Sequence, residues 1–145
     1  MISQKAKYAL RALVRLQKAG PERSLMIGEI SESEAIPKKF LEQILLELKR
    51  VGIVDSRRGR HGGYVLLRPA EKITFGEVLR LIDGPIAPLP CLSRIAYRRC
   101  ADCRNEGSCE IRQVFARVVA AERDVLDHTT LADAVAAGSV TELVA

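Results

Sequence analysis

The sequence predicts a mainly α-helical fold that carries one small β-hairpin and a long helix towards its C-terminus. Three observations lead to this prediction. Apolar residues recur at helical spacing in most segments, two short β-prone runs flank a turn rich in glycine and arginine, and aromatic residues make up only 4% of the 145 residues. An interior built from Leu, Val, Ile and Ala suits packed helices better than a β-sandwich.

The first half of the chain begins with three predicted helices. Apolar periodicity predicts helices over residues 3–19, 26–34 and 37–50. Ser3 is a candidate N-cap for the first helix, and Gly20 followed by proline ends it. Pro37 breaks the chain after the second helix, because the residue before proline avoids the helical region. We expect Pro37 to open the third helix at its first position, where its missing N–H is tolerated.

The remaining elements follow from turn and capping signals. Residues 53–56 and 64–67 are β-prone and enclose a turn with three glycines, so they predict a hairpin. A fourth helix over 73–82 is expected to begin with a capping box of Thr74 and Glu77. The proline-rich residues 84–90 are expected to be irregular. An apolar stripe between Ile111 and Leu126 predicts the long helix, and a short one follows over 131–136.

This order of elements is that of a winged helix-turn-helix, in which the helix after the turn enters the major groove of DNA and the hairpin lies alongside. The charge distribution agrees. Up to Arg68 there are fourteen Lys and Arg against seven Asp and Glu, whereas the remainder has nine against eleven. A basic first half favours a polyanionic partner, although a soluble basic surface is the simpler alternative. We therefore expect a DNA-binding domain at 1–83, a cysteine-rich cluster-binding loop at 84–109, and a dimerisation helix with C-terminal tail at 110–145.

The candidate DNA-binding residues lie on the third helix and in the turn of the hairpin. Lys38 and Lys39 begin the helix, where the N-terminus already attracts phosphate. Glu42 and Gln43 fall on its exposed side and are able to read cytosine and adenine edges. The turn adds three arginines that suit a narrow minor groove, Arg57, Arg58 and Arg60. A solvated β-turn is the alternative interpretation of that segment.

All four cysteines lie between residues 91 and 109. They are Cys91, Cys100, Cys103 and Cys109. Basic residues interrupt the N-terminal apolar runs, and no stretch has the roughly 20 apolar residues of a membrane span. We therefore expect a cytoplasmic protein without a membrane partner. In that compartment the four thiols are expected to stay reduced. A Cys-x-x-Cys step lets two thiolates reach one metal, but a zinc ribbon usually has a second such step. The spacing therefore favours an iron–sulfur cluster, [2Fe–2S] or [4Fe–4S], with zinc as the alternative. Four arginines in the loop are expected to depress the thiol pKa values.

The apolar stripe of the long helix is longer than packing on its own domain requires. Antiparallel pairing with the same helix of a second copy would bury it, so we expect a homodimer; a core helix of a monomer is the alternative. Because the cysteine loop lies between the winged-helix half and this helix, a change at the cysteines is expected to alter the spacing of the two DNA-reading heads.

The sequence resembles the Rrf2 family of winged-helix regulators. The resemblance is carried by residues 3–10 (SQKAKYAL), 41–45 (LEQIL) and 56–64 (SRRGRHGGY), and it extends through the cysteine loop to 126–131 (LDHTTL). It implies a repressor that binds double-stranded DNA as a homodimer on a pseudo-palindromic operator. It also implies that Glu42 tunes base choice, that Arg58 enters the minor groove, and that Lys7 and Tyr8 lie near the cluster or the DNA backbone. We also expect Lys5 and Tyr8, both near the beginning of the first helix, to be among the DNA-binding residues.

The resemblance also bears on the metal ligands. Members of the family often use three cysteines of this loop together with a histidine shortly after the last cysteine, or with a carboxylate from the partner's first helix. Here the corresponding residues are Arg112 and Lys7, so a fourth cysteine is expected to replace them, and either Cys100 or Cys103 is the additional ligand. A repressor with structural zinc or redox-reactive thiols, regulated by a partner protein, is the alternative. A thiol oxidoreductase would need its Cys-x-x-Cys motif in a βαβ setting, which the sequence lacks, so no enzyme is expected.

Overall fold

The computed structural model of the chain describes residues 2–138 and follows the predicted order of elements. The predicted C-terminal tail from residue 139 onwards lies outside the described residues. The helices are α1 (Gln4–Ala19), α2 (Ile27–Glu34), α3 (Lys38–Arg50), α4 (Phe75–Asp83), α5 (Glu110–His128) and α6 (Leu131–Ala136), and the strands are β1 (Val54–Arg57) and β2 (Gly63–Leu66). Single 3₁₀ turns lie at Ala70–Lys72 and Pro90–Leu92.

The beginnings of the helices follow the capping residues closely. The Ser3 side chain accepts a hydrogen bond from the Ala6 amide at 3.0 Å, which confirms the predicted N-cap. The Ser3 amide also donates to the Asp83 carboxylate at 2.8 Å and so ties the start of α1 to the end of α4. Pro37 is the N-cap of α3 and not its first helical residue, because its ψ of 126° is extended while its carbonyl accepts the first helical hydrogen bond from Leu41.

The capping box predicted for α4 is only half formed. The Thr74 hydroxyl accepts from the Glu77 amide at 3.2 Å, as expected. In a complete capping box the Glu77 carboxylate would accept a hydrogen bond from the Thr74 amide. It accepts two hydrogen bonds from the Arg68 guanidinium instead, at 2.5 and 3.2 Å. A charged guanidinium is a stronger hydrogen-bond donor to a carboxylate than a backbone amide is, so Glu77 binds Arg68 and the capping box is not completed.

The hydrophobic core joins both ends of the described chain. Side chains from α1 to α4 are buried together, and Leu131 of α6 is fully buried among them. The α6 segment is held against the start of α4 by backbone hydrogen bonds from Leu131 to Ile73 at 2.9 Å and from Phe75 to Thr129 at 3.0 Å. The short helix after α5 therefore completes the core of the winged-helix half.

The predicted apolar stripe of α5 divides into two parts. Val119 is buried and Leu126 packs against the core, so these two face the chain's own domain. Five further members are between 38% and 62% exposed, namely Ile111, Val114, Phe115, Val118 and Val125. One side of this 19-residue helix is thus an apolar surface, and no other part of residues 2–138 covers it.

Candidate functional site

The exposed face of α3 carries all four residues predicted to contact DNA from this helix. Lys38 and Lys39 occupy its first turn, and Glu42 and Gln43 follow one turn later; all are exposed. They are held outward because Leu41, Ile44, Leu45 and Leu48 are buried on the other side. The first turn of α3 contains no acidic residue, so its unpaired amides and two lysines create a positive end.

The hairpin forms a wing that is attached firmly to the rest of the domain. Strands β1 and β2 pair in antiparallel register from Val54–Leu66 to Arg57–Gly63. Leu25, just before α2, exchanges two backbone hydrogen bonds with Tyr64, at 2.9 and 2.7 Å. Gly63 permits this approach, because a Cβ there would lie 2.5 Å from the Leu25 carbonyl and the residue's φ is +142°. This glycine thus serves contacts within the protein.

The wing arginines are exposed around its turn. Arg57, Arg58 and Arg60 line a cleft of about 690 Å³ that also borders residues 22–29 before and within α2. Arg57 donates to the Pro21 carbonyl at 3.4 Å, while the Ser24 hydroxyl donates to the His61 carbonyl at 2.5 Å. The turn is therefore fixed at its base, and Arg58 and Arg60 are exposed to solvent.

The two residues predicted from α1 contact α3. Lys5 forms an ion pair with Glu47 at 2.6 Å, and the Tyr8 ring packs edge-on against Phe40 with ring centroids 5.5 Å apart. Both side chains are half-buried. They link α1 to α3 and, unlike the lysines of α3, are only partly available to an outside partner.

The four cysteines line one cavity of about 640 Å³ beside the beginning of α5. Cys91 is buried in the second 3₁₀ turn, and Cys100, Cys103 and Cys109 are half-buried; all four are free thiols. Cys109 is the N-cap of α5, and its Sγ accepts a hydrogen bond from the Arg112 amide at 3.4 Å. The fold thus brings together residues that are spread over the whole loop.

The environment of the Cys100 thiol differs from the sequence prediction. Burial raises the pKa of the Cys100 thiol, and neighbouring Cys91, Asp102 and Cys103 raise it further. For Cys100 the predicted depression by loop arginines is therefore wrong. The Arg99 guanidinium donates to the backbone carbonyls of Cys103 and Arg104 at 3.2 and 3.0 Å and also interacts with the Cys103 side chain, so this arginine lies beside Cys103 and not beside Cys100.

No three His, Cys, Asp or Glu side chains within residues 2–138 converge as they would around a single metal ion. The two histidines lie elsewhere: His61 is in the wing, and the His128 ring contacts the Asp124 carbonyl at the end of α5. The cavity therefore brings the four thiols to one place without the tight arrangement of a preformed mononuclear site.

A chain of polar contacts connects the cysteine loop to the winged-helix half. Arg123 of α5 donates to the Leu92 carbonyl, next to Cys91, at 2.8 Å. One turn further, Asp127 accepts two hydrogen bonds from Arg80 of α4, at 2.6 and 3.0 Å. The sequence did not predict these contacts, because nothing in its local pattern indicates which arginine meets a carboxylate 47 positions away.

Comparisons with known proteins agree with this architecture. A sequence profile described as an iron-dependent transcriptional regulator, Rrf2, matches residues 2–137. An rrf2-like HTH-type transcriptional regulator of Rhodobacter capsulatus is 50% identical over 143 residues, which cover 96% of this chain and 95% of the relative. The HTH-type transcriptional regulator CymR of Bacillus subtilis is 33% identical over 132 residues, which cover 91% and 87%.

Solved structures extend the likeness to the fold. The structure of CymR, described as the global cysteine regulator of B. subtilis, matches with a TM-score of 0.80 and 30% identity over 96% of this chain and 98% of that one. IscR of T. potens matches in fold with a TM-score of 0.75 at 23% identity, over 100% and 93%.

Fold and surface together define a transcriptional regulator with a DNA-binding winged helix-turn-helix, and the relatives are regulators rather than enzymes. The profile covers nearly the whole described chain, and the chain belongs to the Rrf2 family. The resemblance and the fold class predicted from the sequence are thereby confirmed. No helix within residues 2–138 is long and apolar enough to cross a membrane.

Proposed function

We propose that this chain is a cytoplasmic, sequence-specific repressor that binds a pseudo-palindromic operator as a homodimer, and that an iron–sulfur cluster controls its operator affinity. The single observation that carries the proposal is the cavity beside α5. Four free thiols from a 19-residue stretch, Cys91 to Cys109, line that one cavity. That four thiols line the same cavity favours shared ligation over four unrelated cysteines.

The DNA-reading roles rest on exposure and charge. Lys38 and Lys39, at the positive end of α3, suit phosphate contacts that position the protein, while Glu42 and Gln43 suit base edges in the major groove. Arg58 is exposed in a wing that Leu25 and Tyr64 fix to the domain, so it suits the minor groove alongside. Half-buried Lys5 and Tyr8 support α3, and we assign them a part at the DNA backbone.

The cavity residues fit an iron–sulfur cluster in their donor chemistry. Four cysteine thiolates are the usual ligand set of both [2Fe–2S] and [4Fe–4S] centres. When bound, such a cluster would supply an anionic centre that exchanges electrons, and redox state, nitric oxide and iron or cluster supply are the three signals that we propose for it.

Dimerisation is supported by the uncovered side of α5. Phe115 and Val118, near the middle of the helix, lie between Ile111 and Val125 in a row of exposed apolar side chains. Pairing this row with its copy around a two-fold axis would remove it from water, and a two-fold dimer matches the symmetry of a pseudo-palindromic operator.

Control of DNA affinity is supported by the contacts that join the cavity to both helices. The turn that holds Cys91 is tied to α5 through Arg123, and α5 is tied to α4 through Asp127 and Arg80. A change of the loop on cluster loss therefore acts on the helix that sets the spacing of the two heads. A small rotation is enough to lower affinity, because half-sites must be matched at one helical turn or a multiple of it.

Metal analysis tests the proposal. Protein purified without oxygen should contain iron and acid-labile sulfide, and serine substitution of Cys91, Cys100, Cys103 or Cys109 should remove them. Ser108→Ala is the matched control, because Ser108 lines the same cavity without a thiol. Stoichiometric zinc without sulfide contradicts the cluster.

A second function is favoured by one comparison. The relation to CymR, which is described as a cysteine regulator, suits a repressor whose cysteines bind structural zinc or react with oxidants and whose DNA binding depends on a partner protein. For this chain it predicts an operator affinity that is independent of iron and sulfide and that changes when a second protein is added.

A further inference from the structure

Arg112 is one of the residues of the cysteine cavity to which the proposed function assigns no role. It lines the cavity together with the four cysteines. Its Nε is buried and has no hydrogen-bond partner, and its guanidinium forms no ion pair with any carboxylate within residues 2–138. Leaving a buried donor unpaired is costly, and at Arg112 this cost falls on Nε alone, because the residue as a whole is half-buried.

The position of Arg112 in its helix adds a second cost. Cys109 is the N-cap of α5, so Arg112 is the third residue of the first turn. The N-terminus of a helix carries a partial positive charge, which favours acidic side chains and disfavours a guanidinium. Two local rules are therefore broken at one residue, and such violations mark positions where another requirement dominates.

An anionic group in the cavity would satisfy both requirements at once. Thiolate and sulfide sulfurs are anionic acceptors, and the four cysteines bring thiol sulfurs to the walls of the same cavity. We propose that Arg112 is a positioning residue that donates its Nε–H to a sulfur of the centre held by the four cysteines. The inference rests on the proposed function and assigns a role at the site to a residue that is itself unsuited to be a ligand.

The reduction potential of the centre measures this interaction. A positive donor stabilises the more negative, reduced form, so its removal should lower the potential. For Arg112→Met we expect the equilibrium constant of one-electron reduction to fall about tenfold, which is about 59 mV. Arg112→Lys keeps the charge but loses the planar donor and should give an intermediate potential. Arg112→Gln replaces the Met variant if that variant aggregates.

The control is Arg117→Met, which removes the same charge from an exposed position of the same helix. It should leave the potential at the wild-type value. A loaded Arg112→Met protein whose potential equals that of wild type overturns the inference.

The melting temperature of the metal-free protein gives an independent test. Without the centre, Nε stays unpaired, so apo Arg112→Met should melt a few degrees above apo wild type, and apo Arg117→Met should not. Loading with iron and sulfide should reverse the order of Arg112→Met and wild type. If wild type binds no iron and sulfide, the proposed function fails and this inference fails with it. If wild type does bind them, a melting temperature of apo Arg112→Met equal to or below that of apo wild type overturns this inference alone, because the unpaired Nε then carries no cost.

Discussion

Replacing Gly76 with alanine tests the junction of α4 and α5 through which we expect the cysteine loop to act on the DNA-binding half. An added Cβ would lie 2.1 Å from Asp127 Oδ1, 3.0 Å from an Arg80 guanidinium nitrogen and 3.2 Å from the Leu126 backbone oxygen. The first distance is far below any real carbon–oxygen contact. Asp127 must therefore move, and its two hydrogen bonds with Arg80 are lost or lengthened.

The expected loss of stability follows from three contributions. Overfilling a packed site costs about 1–3 kcal/mol. A hydrogen bond to a charged group contributes about 1.5–3 kcal/mol, which solvent reduces here because the Arg80 and Asp127 side chains are 30% and 29% exposed. Alanine returns about 1 kcal/mol of helix propensity. We expect Gly76→Ala to lower the free energy of unfolding by about 2 kcal/mol in total.

Urea titration of the reduced apo protein, followed by circular dichroism at one fixed protein concentration, measures this change. Gly28→Ala in α2 is the matched control, because nothing lies within 4 Å of a Cβ at that helical glycine. It should raise the free energy of unfolding by about 0.5–1 kcal/mol. Adding Asp127→Ala to Gly76→Ala removes the closest contact, so the glycine substitution should then cost less than it does alone.

The reasoning is refuted if Gly76→Ala is as stable as wild type while Gly28→Ala is stabilised as expected. That result would mean that α4 and α5 are not held at the observed distance, and the route from the cysteines to the DNA-binding half would lose its physical basis.

Four further predictions concern the Arg80–Asp127 ion pair, base reading, phosphate contact and assembly. The hydrogen bonds from Arg80 lower the pKa of Asp127, so the stabilisation by this ion pair is fully present above the ordinary aspartate pKa of 3.8 and is lost as pH falls through the lower pKa of the folded state. The urea midpoints of wild type and Asp127→Asn should therefore converge in that acidic range. A difference between the two midpoints that stays constant in acid contradicts this prediction. In binding titrations, Glu42→Ala should relax base preference at one operator position by about 1–3 kcal/mol. Lys39→Ala should weaken all sequences alike and reduce the salt slope by about 1; a base-specific loss for Lys39→Ala would reverse the two roles. Phe115→Asp on the exposed side of α5 should yield monomers in sedimentation, and an unchanged dimer would place the interface elsewhere.

The sequence predicted best what depends on neighbouring residues. The bounds of α6 match the predicted 131–136, because Thr130 and Asp133 form a complete capping box at its start. The N-cap at Ser3 is likewise a contact over three residues. At α4 the same local signal was only half right, because Arg68 arrives from outside the segment and takes the Glu77 carboxylate. Local rules fail where a distant charged group competes.

The candidate site divides in the same way. Helical periodicity was enough to predict that Glu42 and Gln43 are exposed, since burial of Leu41 and Ile44 fixes the orientation of α3. The cysteine spacing predicted a shared site but not its shape, because the loop between the second 3₁₀ turn and α5 has no periodicity to follow. The unpaired Nε of Arg112 also depends on the fold and has no signal in the sequence beyond a cation in a helix's first turn.

Operator affinity with and without the cluster tests the central claim most directly. Holo protein and apo protein, both kept reduced and at the same salt concentration, are titrated against one operator duplex and against a scrambled duplex of equal length. The account predicts different affinities of the two forms for the operator and equal, weaker binding of both to the scrambled DNA. Equal operator affinities of holo and apo protein would contradict control of DNA binding by the cluster.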